Sequence, residues 1–340
     1  MAVVKANAYG HGALTIAPAL SERVDWLAVD SVDEALELGI AHVNKPILIL
    51  GHTPADPLEL VVRNGFRQIV FRRDTAAALA DIAEVLDEPA YVHLKIETGL
   101  HRLGVPLEEL PSFARFVAGL DGVVVEGVYT HFADVEDPAS SFYEEQLDRL
   151  SAALDIVRAN GLEPSLVHAS PTAGALLHDQ RSMKLARVGI GLYGVWPSPE
   201  TRGAAPDLEL KPVLTWKCRI VQIQSVPAGA SVGYDRTYRA SSERRIAVIP
   251  VGYYDGLDRK LSGRGAVLVR GKRAPIVGRV AMNMTMIDVS ETGAEEDEEV
   301  VLIGEQGSES ITAEELGSWS GTIAYEVLAR LSRDLVRTIK

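Results

Sequence analysis

Ala2-Val3-Val4-Lys5-Ala6-Asn7-Ala8-Tyr9-Gly10-His11-Gly12 reads as a short apolar strand that ends in a lysine and runs into a glycine-bounded turn. Desolvation disfavours an ammonium group, so a lysine at such a strand end is a candidate imine-forming amine. Taken alone, Lys5 reads better as a strand-end lysine simply reaching solvent. The rest of the chain decides between the two.

Outward from this stretch, apolar β-branched runs alternate with amphipathic segments through the first 195 residues, the pattern of repeated βα units on a parallel sheet. The strand candidates are 2–5, 26–29, 46–50, 68–71, 91–96, 123–130, 165–168 and 185–189, and eight is the number that closes a βα barrel. Helices are expected over 14–23, 32–38, 57–64, 75–86, 107–118, 140–160 and 172–178. In the sixth, Phe142, Leu147, Leu150, Leu154 and Val157 recur at helical spacing and Gly161 stands at the stop. Closing the ring requires one further helix, before the first strand or after the eighth. Trp196-Pro197-Ser198-Pro199 opens a linker rich in Pro, Gly and Ala that runs to about Pro206. The expected division is therefore a barrel domain over 1–200 and a β-rich domain over 207–340. In the latter, short Gly-punctuated runs at 219–226, 245–251, 265–270, 284–289 and 300–303 suggest antiparallel strands, completed by one late helix near 313–318 and the stretch 325–331.

In a parallel βα barrel the reactive groups gather at the carboxyl ends of the strands. The polar residues there are Lys5, Asp30, His52, Lys95 with Arg102, His131, His168 with Ser170, and Arg187. So many cations at one mouth suit an anionic cofactor or substrate better than they suit stability.

Composition sets the outer bounds. The chain has 340 residues, 47% of them hydrophobic and 24% charged, enough for two domains with a sizeable core. A formal charge of −13 argues against a nucleic-acid partner. No apolar run approaches a membrane span or a signal peptide's long apolar core, so a cytoplasmic protein is expected. Cys218 is the single cysteine, which excludes an intrachain disulfide and a thiolate metal cluster; it reads as a small buried apolar residue. No metal is expected. The acidic run 295–299 reads as a solvated loop ahead of a strand.

The segments 3–12, Lys95-Ile96-Glu97-Thr98-Gly99 with Arg102-Leu103-Gly104, Arg187-Val188-Gly189-Ile190, Val232-Gly233-Tyr234, Val251-Gly252-Tyr253, Gly278-Arg279-Val280-Ala281-Met282 and Tyr325-Glu326-Val327 resemble those of the alanine racemases, fold-type III pyridoxal-phosphate enzymes. They occur in family order over nearly the whole chain. The resemblance implies a βα barrel followed by a β-rich domain, and a head-to-tail homodimer in which each active site is completed by the partner. It implies that Lys5 forms the imine with pyridoxal 5'-phosphate, and that Lys5 and Tyr234 of the partner subunit are the two bases on opposite faces of alanine. A phenol with a reference pKa of about 10 needs help to act as a base; the family chain Tyr234 to His131 to Arg187 is a relay of positive character that provides it. By the same resemblance Arg187 faces the pyridine nitrogen, where an always-cationic donor tempers electron withdrawal, and Arg102 contacts the substrate carboxylate and the cofactor's phenolic oxygen. Lys95 matches a lysine often carried as a carbamate, an unmodified lysine being the rival reading. Gly189 and Ile190 offer backbone N–H groups to the phosphate, and Tyr9, Thr172 and Tyr325 offer hydroxyls. Tyr253 and Tyr325 match the pair that narrows the substrate entrance, and Met282 and Asn283 lie beside the substrate. D-alanine supply for peptidoglycan is the role the family implies.

Four departures from the family pattern stand out. Thr172 replaces a usual serine, Pro171 replaces an asparagine and removes a backbone donor, and Asn283 replaces an aspartate, which leaves substrate range open. Family members also carry roughly thirty residues or more, the size of one βα unit, before the Lys5 strand; the expectation here is a truncated or mis-started reading frame lacking that strand and helix. Three rival readings remain: a racemase of broader range for serine or basic amino acids, kept alive by Asn283; a non-catalytic pyridoxal-phosphate carrier, against which Tyr234 argues; and a cofactor-free Schiff-base aldolase, disfavoured by the phosphate-loop residues.

Overall fold

The structure, a computed structural model, describes residues 1–41, 43–178 and 183–339. It divides into two compact units. The first is Met1–Ala8, Ala13–Leu192 and Trp196–Leu210; the second is Tyr9–Gly12, Tyr193–Val195 and Lys211–Lys340.

In the first unit seven strands pair in parallel in chain order: β1 (Ala2–Val3), β2 (Leu27–Val29), β3 (Ile47–Ile49), β4 (Arg67–Val70), β5 (Ala90–Lys95), β6 (Val123–Tyr129) and β7 (Leu166–His168). Helices Ala13–Ser21, Val32–Ile40, Leu58–Arg63, Arg73–Leu86, Leu110–Ala118, Phe142–Ala159 and Thr172–Leu177 occupy the crossovers. β2 and β3 are buried at every position, as strands covered on both faces must be. The expected eighth strand is reduced to one parallel bridge, Val188 to Ala2. The ring still closes. Val188 N donates to Met1 O and Val3 N to Val188 O on one side, while Lys184 N donates to Val167 O and Arg187 N to Ser170 O on the other. The spacing slips between those last two bonds because the Ala169 carbonyl, an acceptor a regular eighth strand would use, is taken by the Arg187 side chain.

Two further differences have local causes. Within the expected linker, Pro199–Ala204 is a helix: Ser198 caps it by accepting from Thr201 N, and Pro199 stands at its first position, where the missing N–H costs nothing. In helix Phe142–Ala159 the buried stripe is Tyr143, Gln146, Leu150, Ala153 and Val157, not the one through Phe142, Leu147 and Leu154. Gln146 is buried because it is bonded, accepting from Ala133 N and donating to Thr98 Oγ1.

The second unit is antiparallel. Its strands are β8 (Trp216–Arg219), β9 (Gln222–Val226), β10 (Ser231–Val232), β11 (Tyr238–Arg239), β12 (Arg244–Ile249), β13 (Ala266–Val269), β14 (Lys272–Val277), β15 (Thr285–Asp288), β16 (Glu299–Gln306) and β17 (Glu309–Ile311). The main sheet runs β17-β16-β13-β14-β15-β12-β9, with β8 also on β16, and β10 and β11 form a separate hairpin. Helices Ala313–Ser320 and Ala324–Ala329 follow. The expected 219–226 strand is two, split at Ile220 and Val221. The acidic run joins the sheet by ion pairs, Glu298 with Arg270 and Glu299 with Lys217.

Candidate active site

Lys5 stands two residues past β1, and its Nζ lies 3.0 Å from Oδ1 of Asp30, the residue after β2. The two strand ends are tied by one carboxylate. Glu34, in the first turn of the helix that Ser31 caps, accepts from Ala6 N at 2.7 Å and Asp30 N at 2.8 Å. Directly after Lys5 the backbone is left-handed at Ala6, Asn7, Ala8 and Tyr9, with φ between 51° and 55°. The left-handed turn therefore starts four residues before the first glycine. Asn7 Oδ1 holds it by accepting from Ala13 N at 2.8 Å.

Arg187 is the centre of the barrel mouth. Buried, it spends its fork on four acceptors: His168 Nδ1 at 2.7 Å, His131 Nδ1 at 3.1 Å, and the Thr130 and Ala169 carbonyls at 2.8 Å each. Burial brings its pKa down to about 10. Burial, with Arg187, Arg102, Lys95 and Lys5 nearby, brings His131 down to about 2, so His131 is neutral. The positive character of the expected relay thus resides in Arg187 alone. Lys95, 4% exposed, is lowered to about 8, first by burial and then by Arg102 and Arg187. Beside it lies Tyr129, fully buried, whose ring centroid is 5.6 Å from Lys95 Nζ and 5.0 Å from Arg187 Cζ. Its hydroxyl has no hydrogen-bond partner among the described residues. Three cations, a neutral histidine and an orphaned phenol call for an anion.

Arg102 stands exposed on the loop that folds back over the end of β5, where Val105 N donates to Lys95 O and Glu97 N to Val105 O. Gly104 allows that return: a Cβ there would stand 2.5 Å from Glu97 N. Burial opposes ionisation of Glu97, but the backbone N–H groups of His101, Gly99 and Arg102 hold its carboxyl below the usual range. Thr172, buried, accepts from Gly189 N at 3.1 Å and Gly191 N at 3.4 Å, next to Ile190. A Cβ on Gly191 would stand 2.5 Å from Thr172 Cγ2, so the approach of threonine to this loop requires glycine. The hydroxyl and N–H groups here suit a phosphate. His52 takes no part: it is exposed, edge-on to Phe71.

In the second unit Tyr9 lies against Tyr193 and Tyr325, with centroids 5.2 and 6.1 Å apart, and His11 stacks on Tyr193 at 4.4 Å. Gly10 is required there, since a Cβ would run into Leu328 O, and Arg337 donates twice to Gly10 O. Tyr234 is 70% exposed, following Gly233 with φ 77°. The next residue, Asp235, is held by Arg279 at 2.7 Å. Tyr253, Met282 and Asn283 are exposed on two segments joined by Tyr253 N to Ala281 O and Tyr254 N to Met282 O.

His93, Glu126 and Tyr129 were not singled out from the sequence. Period two along β5 puts His93 on the same side as Lys95, and that was the available signal. Among the described residues no group of three or more His, Cys, Asp or Glu is placed to hold a metal ion, and no helix is long and apolar enough to cross a membrane.

Two family models match: the alanine racemase N-terminal domain over residues 1–197 and the alanine racemase C-terminal domain over 213–339. An alanine racemase of Symbiobacterium thermophilum is 41% identical over 339 residues, covering 99% of this chain and 89% of its own. Among solved structures, the alanine racemase of Bacillus anthracis with bound L-Ala-P superimposes with a TM-score of 0.91 at 35% identity, covering 97% of this chain and 85% of that one. The alanine racemase of Bartonella henselae with covalently bound pyridoxal phosphate does so with a TM-score of 0.86 at 28% identity, covering 99% and 91%.

Proposed function

We infer that this chain, which belongs to the alanine racemase family, is an isomerase that interconverts L-alanine and D-alanine with pyridoxal phosphate as cofactor. The observation that carries the reading is the barrel mouth itself: a strand-end amine on Lys5, three further cations, and a threonine-glycine phosphate cradle in one unit. These residues fit the cofactor. Lys5 holds it, Thr172, Gly189 and Ile190 with the hydroxyls of Tyr9 and Tyr325 take its phosphate, and Arg187 faces its ring nitrogen. When bound, it supplies an electron sink for the charge left when the α-proton is removed.

The protein moves that proton. Lys5 Nζ serves one face of the α-carbon, and Tyr234 of the partner subunit serves the other, within a homodimer. Neutral His131 supports the second base. Its Nδ1 accepts from Arg187, which has no acceptor of its own, so the imidazole proton sits on Nε2 and is available to stabilise a phenolate. Arg102 captures the substrate carboxylate. Lys95 is carried as a carbamate, since its lowered pKa raises the share of neutral amine open to carbon dioxide, and Arg102 and the Tyr129 hydroxyl suit the resulting anion. Tyr253 and Tyr325 narrow the entrance, with Met282 and Asn283 beside the substrate, favouring alanine by about 1–3 kcal/mol per excluded methylene. The role is D-alanine supply for peptidoglycan in the cytoplasm.

The test is chiral analysis of D-alanine formed from L-alanine by the cofactor-loaded protein. Lys5→Ala and Tyr234→Phe are each expected to lose at least about 100-fold in kcat, the scale of a positioned acid or base. Turnover faster on serine or lysine than on alanine would overturn the substrate, and cofactor absorbance without turnover would reduce the protein to a carrier.

A further inference from the structure

The Arg187 network does not stop at His168. His168 Nε2 lies 2.8 Å from His93 Nδ1, and His93 Nε2, which has no hydrogen-bond partner among the described residues, faces the Glu126 carboxylate across 3.7 Å, an electrostatic contact longer than a hydrogen bond. Both imidazoles are 0% exposed. Arginine only donates, so His168 Nδ1 must accept from it. A neutral imidazole has one donor and one acceptor, so His168 donates through Nε2, His93 accepts at Nδ1, and the His93 proton sits on Nε2, turned toward the carboxylate. Every donor in the chain points away from Arg187 and toward Glu126.

The surroundings are built for this path. Gly127 makes room for the His93 ring, since a Cβ there would stand 2.5 Å from His93 Nδ1. Tyr129 stacks on His168 with centroids 4.7 Å apart and planes 7° from parallel, and Trp26 meets His93 edge-on. Arg67 Nε binds Glu126 at 2.9 Å while its guanidinium lies over Trp26 and Tyr91. The barrel interior is thus a polar column through β4, β5, β6 and β7, where alkyl side chains would pack with less desolvation.

On the reading that Arg187 faces the cofactor ring, we propose that His168, His93 and Glu126 are positioning residues acting through Arg187: a one-way chain of donors, anchored on the Glu126 carboxylate, that fixes the plane of the guanidinium and so its hold on the ring nitrogen. Chains of this kind polarise link by link. The distant carboxylate is therefore felt at the arginine.

The test is nitrogen-15 NMR of the histidines in the cofactor-loaded protein at neutral pH, read with the absorbance of the bound cofactor. Expected are neutral Nε2–H tautomers at both His93 and His168. His93→Phe keeps ring volume but removes the acceptor; it is expected to release the His168 tautomer, move the cofactor absorbance and lower kcat roughly tenfold at unchanged KM, the scale on which outer partners of a functional group act. His93→Gln restores part of each. Glu126→Gln, a milder change should His93→Phe not fold, is expected to move the His93 Nε2 resonance and the cofactor absorbance together. An Nδ1–H tautomer at His93 in the unaltered protein overturns the proposal, as does a cofactor spectrum indifferent to both substitutions. The tautomers are read without substrate, so a protein that makes no D-alanine still reports on the chain, and a racemase with the wrong tautomers refutes the chain alone.

Discussion

Lys95 shows how one residue couples burial, charge and chemistry. Its pKa of about 8 in the folded protein lies below the ordinary lysine value of 10.5. Between those values the folded amine is neutral while the unfolded one still binds a proton, so stability rises with pH across the window. The gain integrates to about 3 kcal/mol. A carbamate on the folded chain takes up no proton even below about pH 8, whereas unfolding releases it as bicarbonate and returns an amine that takes one up. Urea unfolding in carbon-dioxide-free buffer is therefore expected to show a rise in stability that begins near about pH 8, while in bicarbonate the rise extends below about pH 8 and the folded protein is more stable there; the difference between the two buffers isolates Lys95 from other groups. Matching curves in the two buffers would sink the carbamate. Much of this site was legible in the sequence because its residues stand at strand ends: Lys5, Lys95, His131 and Arg187. What escaped lies one or two pleats deeper. His93 and Tyr129 precede rim residues by two positions on the same strands, and nothing in a linear reading says that β5, β6 and β7 turn a polar column inward where an apolar core is the usual expectation.

At the scale of elements, the run Ala6–Tyr9 is costly backbone, four consecutive non-glycine residues at positive φ. Each non-glycine residue there forfeits about 1–2 kcal/mol to the clash of Cβ with the following carbonyl. The turn persists because Glu34, Asn7 and the Ala8 N to Val4 O bond over-determine it. Ala6 is exposed, so its side chain tests the backbone alone. Ala6→Val, branched at Cβ, is expected to lower stability by about 2 kcal/mol, whereas Ala6→Gly, relieving strain but adding freedom to the unfolded chain, is expected to change it by less than about 1 kcal/mol in either direction. Equal urea midpoints for the two variants would show that the turn carries no strain. The glycines at 10 and 12, both at positive φ, mark only the far end of this turn. In the same way Lys272, Arg273 and Pro275 hid β14, whose buried members are Ala274, Ile276 and Val277; its pattern became readable only once pairing with β13 and β15 supplied the context. The long strands β5 and β6 and helix Arg73–Leu86 fell close to their expected bounds because strong periodicity leaves little room for tertiary override.

For the whole molecule, the second unit bears large apolar side chains that stay exposed among the described residues: Tyr234 at 70%, Tyr254 at 59%, Met284 at 56% and Met282 at 54%. Backbone hydrogen bonds from Tyr254 N to Met282 O and from Ala281 N to Met284 O place Tyr254, Met282 and Met284 on adjoining segments. Apolar area of this kind on one folded unit marks an interaction face, and the proposed dimer gives it an occupant: a second copy whose Lys5 receives Tyr234. That arrangement makes a demand no monomeric site can meet. On the proposed mechanism, Lys5→Ala and Tyr234→Phe chains are each expected to be inactive as homodimers, whereas a hybrid dimer would contain one site with both bases, the Lys5 of one chain and the Tyr234 of the other. If the two variants are unfolded together and refolded at equal concentration, half the dimers are hybrids and half of their sites are intact, so about a quarter of the unaltered activity should return. The return should also depend on concentration, since dilution below the dimer's dissociation constant separates the two bases. Activity that stays at the level of the separate variants, in a mixture shown by mass to contain hybrids, would place both bases on one chain and remove the dimer from the mechanism.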